Sequence, residues 1–159
     1  MIFVTVGYQM AFDRLISAVD AWAGGHPDAE VFAQIGPTDA RPRHMLFTEF
    51  LDPEEFTLRI KEASVLVAHA GMGSILTALQ HGKPIVVMPR RGDLQETRND
   101  HQLATARKLH GRPGLEVAMD ESALADALDR LGGLSAPPPI TPSAQPELLD
   151  FLRGFVAGD

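Results

Sequence analysis

The 159-residue sequence contains no cysteine, which excludes disulfides and thiolate metal sites and suits a reducing cytoplasm. It contains no apolar run near the roughly 20 residues needed to span a bilayer. The opening Met1-Ile2-Phe3-Val4-Thr5-Val6 lacks the basic region and long apolar core of a secretion signal, and reads instead as a first strand. Basic charge is scarce: 14 Lys and Arg stand against 21 Asp and Glu, a net charge of -7. That balance argues against nucleic acid or an anionic membrane as a general partner, because phosphate-rich surfaces demand a basic face. Two motifs are missing as well. No Gly-Lys-Ser/Thr follows a glycine loop, so there is no P-loop, and no Asp-x-Asp pair offers a metal-held diphosphate. What is present is ordinary globular material, 45% hydrophobic and 22% charged, long enough for one domain with one real core.

Along the chain, apolar runs of strand length alternate with segments of helical period. Ile2 to Val6 is a strand closed by Gly7, and Phe12, Leu15, Ile16, Val19 and Trp22 then recur on one helix face until Gly24-Gly25. Val31 to Ile35 is a second strand, residues 37–44 a loop, and Met45 to Thr48 a short third strand. Asp52-Pro53-Glu54-Glu55 is a helix start with cap, first-turn proline and favourable acidic charge; that helix runs to about Ala63. Val65 to Ala68 and Pro84 to Met88 are strands, separated by a helix from Gly73 to His81 with Gly82 as C-cap. A helix from Asn99 to about His110, a short strand at Leu115 to Val117 and a helix capped by Asp120 through Leu131 complete the pattern. Strands apolar throughout and alternating with helices predict an α/β fold, a Rossmann-like parallel sheet covered by helices on both faces. This domain spans 1–131. Residues 132–159 read as a tether with five prolines, followed by an amphipathic helix from Glu147 to Val156.

The chemistry concentrates in Val65-Leu-Val-Ala-His69-Ala-Gly71-Met72-Gly73-Ser74, a strand, a glycine turn and a helix start. Gly71 and Gly73 let backbone approach a ligand, and the helix N-terminus beside Met72 offers free N–H groups and partial positive charge to a phosphate. Ser74 adds a hydroxyl. A second stretch, Arg90-Arg91-Gly92-Asp93 leading through Arg98 to Asn99-Asp100-His101-Gln102, can supply donors and acceptors to sugar hydroxyls, or merely cap a helix. A third loop, Gly7-Tyr8-Gln9-Met10-Ala11, follows the first strand. All three lie at strand C-termini, where open α/β sheets bind ligands.

His69 to Pro89 together with Asn99-Asp-His-Gln resembles the C-terminal half of family 28 glycosyltransferases, and the chain as a whole is similar to the small catalytic subunits of two-chain N-acetylglucosaminyl and exopolysaccharide glycosyltransferases. Phe3-Val-Thr-Val-Gly and Phe12-Asp-Arg-Leu-Ile add to the likeness, which covers about residues 1–131. The resemblance implies a single GT-B half-domain acting on a UDP-sugar, a substrate rather than a cofactor, without metal. It assigns Gly71, Met72, Gly73 and Ser74 to the diphosphate, Phe50 and Leu51 to the uracil, and Asp100, His101 and Gln102 to the donor sugar, with Gly7 and Gln9 lining the cleft. Thr77 stands where many members carry a ribose-binding glutamate, and a hydroxyl makes the weaker contact; Met10 replaces a frequent glycine. Arg90, Arg91 and Arg98 are candidates for stabilising the departing diphosphate. His69 is a candidate catalytic base, and equally a phosphate donor or a residue that shapes the turn. In this architecture the base commonly sits on the other half, so a second, membrane-associated polypeptide is expected to bind the acceptor. The chain itself is expected to be cytoplasmic, at the membrane only through that partner. A nucleotide-sugar-binding regulatory module without turnover is the rival reading, and an epimerase is disfavoured because one half cannot close over its substrate.

Overall fold

The computed structural model describes residues 1–138. Six parallel strands form one sheet, in the order β3-β2-β1-β4-β5-β6. They are β1 (Ile2–Thr5), β2 (Val31–Gln34), β3 (Leu46–Thr48), β4 (Val65–His69), β5 (Ile85–Met88) and β6 (Leu115–Val117). Between them run α1 (Asp13–Gly24), α2 (Pro53–Glu62), α3 (Met72–Gln80) and α4 (His101–Leu109), and α5 (Glu121–Asp129) follows the last strand. The expected Rossmann-like α/β sheet is the fold.

Alternation along each strand divides the core in two. Val4, Val67, Val86 and Met88 pack with Leu15, Ile16 and Val19 of α1 and Leu124 and Leu128 of α5. Phe3, Leu66, Ala68 and Val87 face the other way, onto Ile60 of α2, Ile75 and Ala78 of α3, and Ala106 and Leu109 of α4. Both faces are therefore covered, which is why these strands read as unbroken apolar runs.

Two expected caps form as the side chains dictate. Asp52 accepts from the Glu55 N–H at 2.8 Å, and Asp120 from the Ala123 N–H at 2.8 Å. The expected helix at Asn99 begins instead at His101, and Asp100 holds the N-cap position without capping through its side chain. Its Oδ1 accepts from the Gly92 N–H at 3.0 Å and folds the preceding loop back on itself. Helix α5 stops at Asp129, short of the expected Leu131, and a 3-10 turn over Leu131–Gly133 follows. Leu131 and Leu134 pack against the core on the α1 and α5 side. Pro137 is buried against Gly114, where a Cβ would stand 2.6 Å from its Cγ. The remaining prolines and the expected helix from Glu147 to Val156 lie outside the described residues.

The strand order fixes where a ligand can sit. From β1 the chain winds outward to β3, then returns to lay β4 on the other side of β1 and winds outward again. The chain reverses direction across the sheet between β1 and β4, the switch point at whose strand C-termini open α/β sheets bind ligands.

Candidate functional site

The turn from β4 into α3 takes only Ala70 and Gly71. Gly71 occupies the N-cap position without a side-chain cap. Helix geometry leaves the N–H groups of the first turn, at Met72, Gly73 and Ser74, without intrahelical partners, and the helix dipole adds partial positive charge there. A Cβ on Gly73 would meet nothing within 4 Å. That turn of helix is open.

The two glycines differ in role. A Cβ on Gly71 would stand 2.6 Å from His69 Nδ1 and closer still to Cε1, and one on Gly7 would stand 3.1 Å from His69 Nε2. Gly7 also has a φ of +78°, a conformation that disfavours any side chain. The imidazole thus fills the space that side chains on both loops would claim. Gly71 makes room for the histidine, and of the two glycines only Gly73 faces open space.

His69 Nε2 lies 3.4 Å from Ser74 Oγ, and Nδ1 is buried with no partner among the described residues. Burial pushes the imidazole down to about 4, the Arg90 charge pushes the same way, and the nearby Gln102 amide opposes them. At pH 7 the ring is neutral. Its low basicity fits a hydrogen-bond donor better than a general base, whose pKa belongs near the working pH.

The three arginines are placed differently. Arg90 is 3% exposed, and its two terminal nitrogens donate to the carbonyls of Val6, Met10, Ala11 and Glu96. Those bonds leave only Nε–H uncommitted. Arg91 grips Asp93 through Nε at 3.1 Å and Nη2 at 2.6 Å. Arg98 is exposed on the same loop.

Among the other expected site residues, His101 is exposed at the start of α4, while Gln102 is half-buried and its Oε1 accepts from the Arg90 N–H at 3.1 Å. Asp100 is committed to Gly92 through Oδ1. Gln9 is exposed beside Gly7. Phe50 is 45% exposed, whereas Leu51 is buried. Thr77 Oγ1 donates back to the Gly73 carbonyl at 2.8 Å.

The sequence reading passed over Tyr8. Its ring lies 6.2 Å from that of Phe50 at an interplanar angle of 10°, and its hydroxyl donates to the Leu51 carbonyl at 3.1 Å. The loop after β1 therefore reaches across to the loop before α2. A lone tyrosine beside the post-strand glycine was the available signal. A second omission is the pair Thr5 and Gln34, adjacent in the sheet register. The Thr5 hydroxyl donates to Gln34 Oε1 at 3.0 Å and accepts from the Gly7 N–H at 3.3 Å. A glutamine inside an apolar strand marks this support of the first loop.

Residues 1–135 match the model of the Glycosyltransferase family 28 C-terminal domain. The UDP-N-acetylglucosamine transferase subunit ALG13 of Homo sapiens is 34% identical over 124 residues, covering 69% of this chain and 10% of the human protein. Its Mus musculus counterpart is 30% identical over 122 residues, covering 68% of this chain and 10% of the mouse protein. The chain thus spans only about 10% of the length of these relatives. Among solved structures, the NMR solution structure of ALG13 superposes with a TM-score of 0.66 at 17% identity, over 95% of this chain and 93% of that one. The glycotransferase of kitacinnamycin superposes with a TM-score of 0.61 at 21% identity, over 97% of this chain but only 37% of the larger one. The fold is one half of such an enzyme.

Proposed function

The chain belongs to the family of glycosyltransferase family 28 C-terminal domains, and from that premise we propose that it is the donor-binding catalytic subunit of a UDP-sugar-dependent glycosyltransferase. The observation that carries this reading is the uncapped start of α3, open at Gly73, beside the switch point between β1 and β4. Such a helix start attracts a diphosphate. The amides of Met72, Gly73 and Ser74, the Ser74 hydroxyl and neutral His69 would surround it. Phe50, Leu51 and Thr77 would lie along the nucleoside, and Asp100, His101 and Gln102 with Gly7 and Gln9 along the sugar.

In the reaction an acceptor hydroxyl oxygen bonds to the anomeric carbon as the bond from that carbon to the β-phosphate oxygen breaks. The electron pair stays with UDP, and the hydroxyl proton passes to a base. Negative charge grows on the leaving diphosphate, where amides fixed before the reaction stabilise it without reorganising. Transfer by this route needs no metal. Arg98, and Arg91 if it releases Asp93, are the basic side chains available to assist.

The acceptor side is proposed to lie on a second polypeptide. The low basicity of His69 argues against it as the base, and a similar protein is itself named as a transferase subunit. The partner would be membrane-associated, present a lipid-linked or polysaccharide acceptor, as in exopolysaccharide biosynthesis, and hold the chain at the cytoplasmic surface. No helix among the described residues is long and apolar enough to cross a membrane. Calorimetry with UDP, UDP-sugars, GDP-sugars and dTDP-sugars tests the donor reading, and UDP and a UDP-sugar should bind. Gly73→Asp, which sets a carboxylate against the diphosphate, should abolish both. Absence of binding by every nucleotide would overturn it. Binding that never leads to transfer, even with an acceptor-binding chain added, would leave a regulatory module instead.

A further inference from the structure

Arg90 stands two residues beyond the end of β5 and is almost fully buried. A buried guanidinium is costly unless its donors are satisfied. Here the partners are main-chain carbonyls rather than a carboxylate. Nη2 donates to Val6 at 2.9 Å and Met10 at 2.7 Å, and Nη1 donates to Ala11 and, at 3.2 Å, to Glu96. Three of those four acceptors belong to β1 or the loop that follows it. The guanidinium carbon also lies 4.7 Å from the centre of the Phe12 ring, just before α1.

A second arginine makes the reverse connection. Arg14 on α1 holds the Glu96 carboxylate through Nε at 2.7 Å and Nη2 at 2.8 Å, with both side chains 12% exposed. Its Nη2 also donates to the Pro89 carbonyl at 2.9 Å. The loop between β5 and α4 is thus fastened to the start of α1 from both directions.

We propose that Arg90 is a positioning residue that fixes the loop after β1 to the loop before α4, setting the gap between Gly7 and Gln9 on one side and Asp100, His101 and Gln102 on the other, while touching neither sugar nor diphosphate. This rests on the donor-binding reading. A planar fork of donors fixes both distance and angle, which an ammonium on a flexible stem does not. The same residue's N–H orients the Gln102 amide. The first-turn amides of α3 are set by the helix itself, so the sugar side of the site should depend on Arg90 far more than the nucleotide side.

The test uses Arg90→Lys, which keeps the charge, and Arg90→Met, which keeps the packing. Each is measured by calorimetry below its melting temperature with UDP and with UDP-N-acetylglucosamine. Both variants should lose roughly tenfold or more in affinity for the nucleotide sugar and less than about twofold for UDP. In the ligand-free chain, amide hydrogen exchange over residues 6–12 should accelerate in both. Equal losses for the two ligands would place Arg90 on the diphosphate, and no loss in either folded variant would reduce it to a structural residue. Each result overturns the proposal. If the Arg90 variants do not fold, Glu96→Gln loosens the reverse connection and must show the same ligand-selective loss, or the proposal fails. If the unaltered chain binds neither ligand, the donor reading fails, and exchange over residues 6–12 still decides whether Arg90 holds the loop.

Discussion

At the scale of single residues, His69 shows how one side chain dictates its neighbours. Its ring occupies the volume that a Cβ on Gly71 would need, with Nδ1 only 2.6 Å away. Gly71→Ala should therefore destabilise the fold by about 2–3 kcal/mol through overpacking. Shortening His69 to Ala should relieve most of that cost, so the two substitutions will be strongly non-additive in urea unfolding. Simple additivity would show that the clash is not the cause. Gly73→Ala behaves oppositely: nothing opposes the added methyl, and alanine favours a helix by up to about 1 kcal/mol over glycine. The sequence marks both glycines as a candidate ligand turn. That Gly71 answers to an imidazole is not legible there, because the demand arises between a strand end and its own following turn in three dimensions.

At the scale of elements, the strands and most helix starts were legible because local chemistry decides them. Asp52 and Asp120 each accept an N–H three residues on, and replacing either with alanine should cost about 1 kcal/mol in thermal or urea unfolding. Asp100 occupies the N-cap position of α4 but makes no cap bond, so Asp100→Ala should leave α4 intact by circular dichroism and instead free the loop around Gly92. Equal helix loss in all three variants would contradict this. The polar run Asn99 to Gln102 looks like a capping cluster in sequence. What redirects Asp100 is the return of Gly92 beside it, a contact that no local pattern announces.

At the scale of the whole molecule, buried charge and pH meet. The imidazole of His69 titrates at about 4 in the folded protein against an ordinary 6.5. As pH falls through 6.5 the unfolded chain takes up the proton first, so this residue's contribution to stability is complete above that value and is lost as pH approaches 4. The loss is at most about 3 kcal/mol. Urea midpoints at pH 7 and pH 4.5 should fall further apart in the native protein than in His69→Gln, and matching differences would show that His69 does not titrate in this window. Strand alternation, covered faces and the glycine-rich, uncapped helix start follow from the sequence alone, since apolar period, glycine and capping residues act over a few positions. The connection of Arg90 and Arg14 across two loops, the reach of Tyr8 to Phe50, and the neutral state of His69 were decided only by the tertiary structure. Each depends on partners that the winding of the sheet brings together from distant parts of the chain, and for Arg90 and His69 also on burial, which has no local signature.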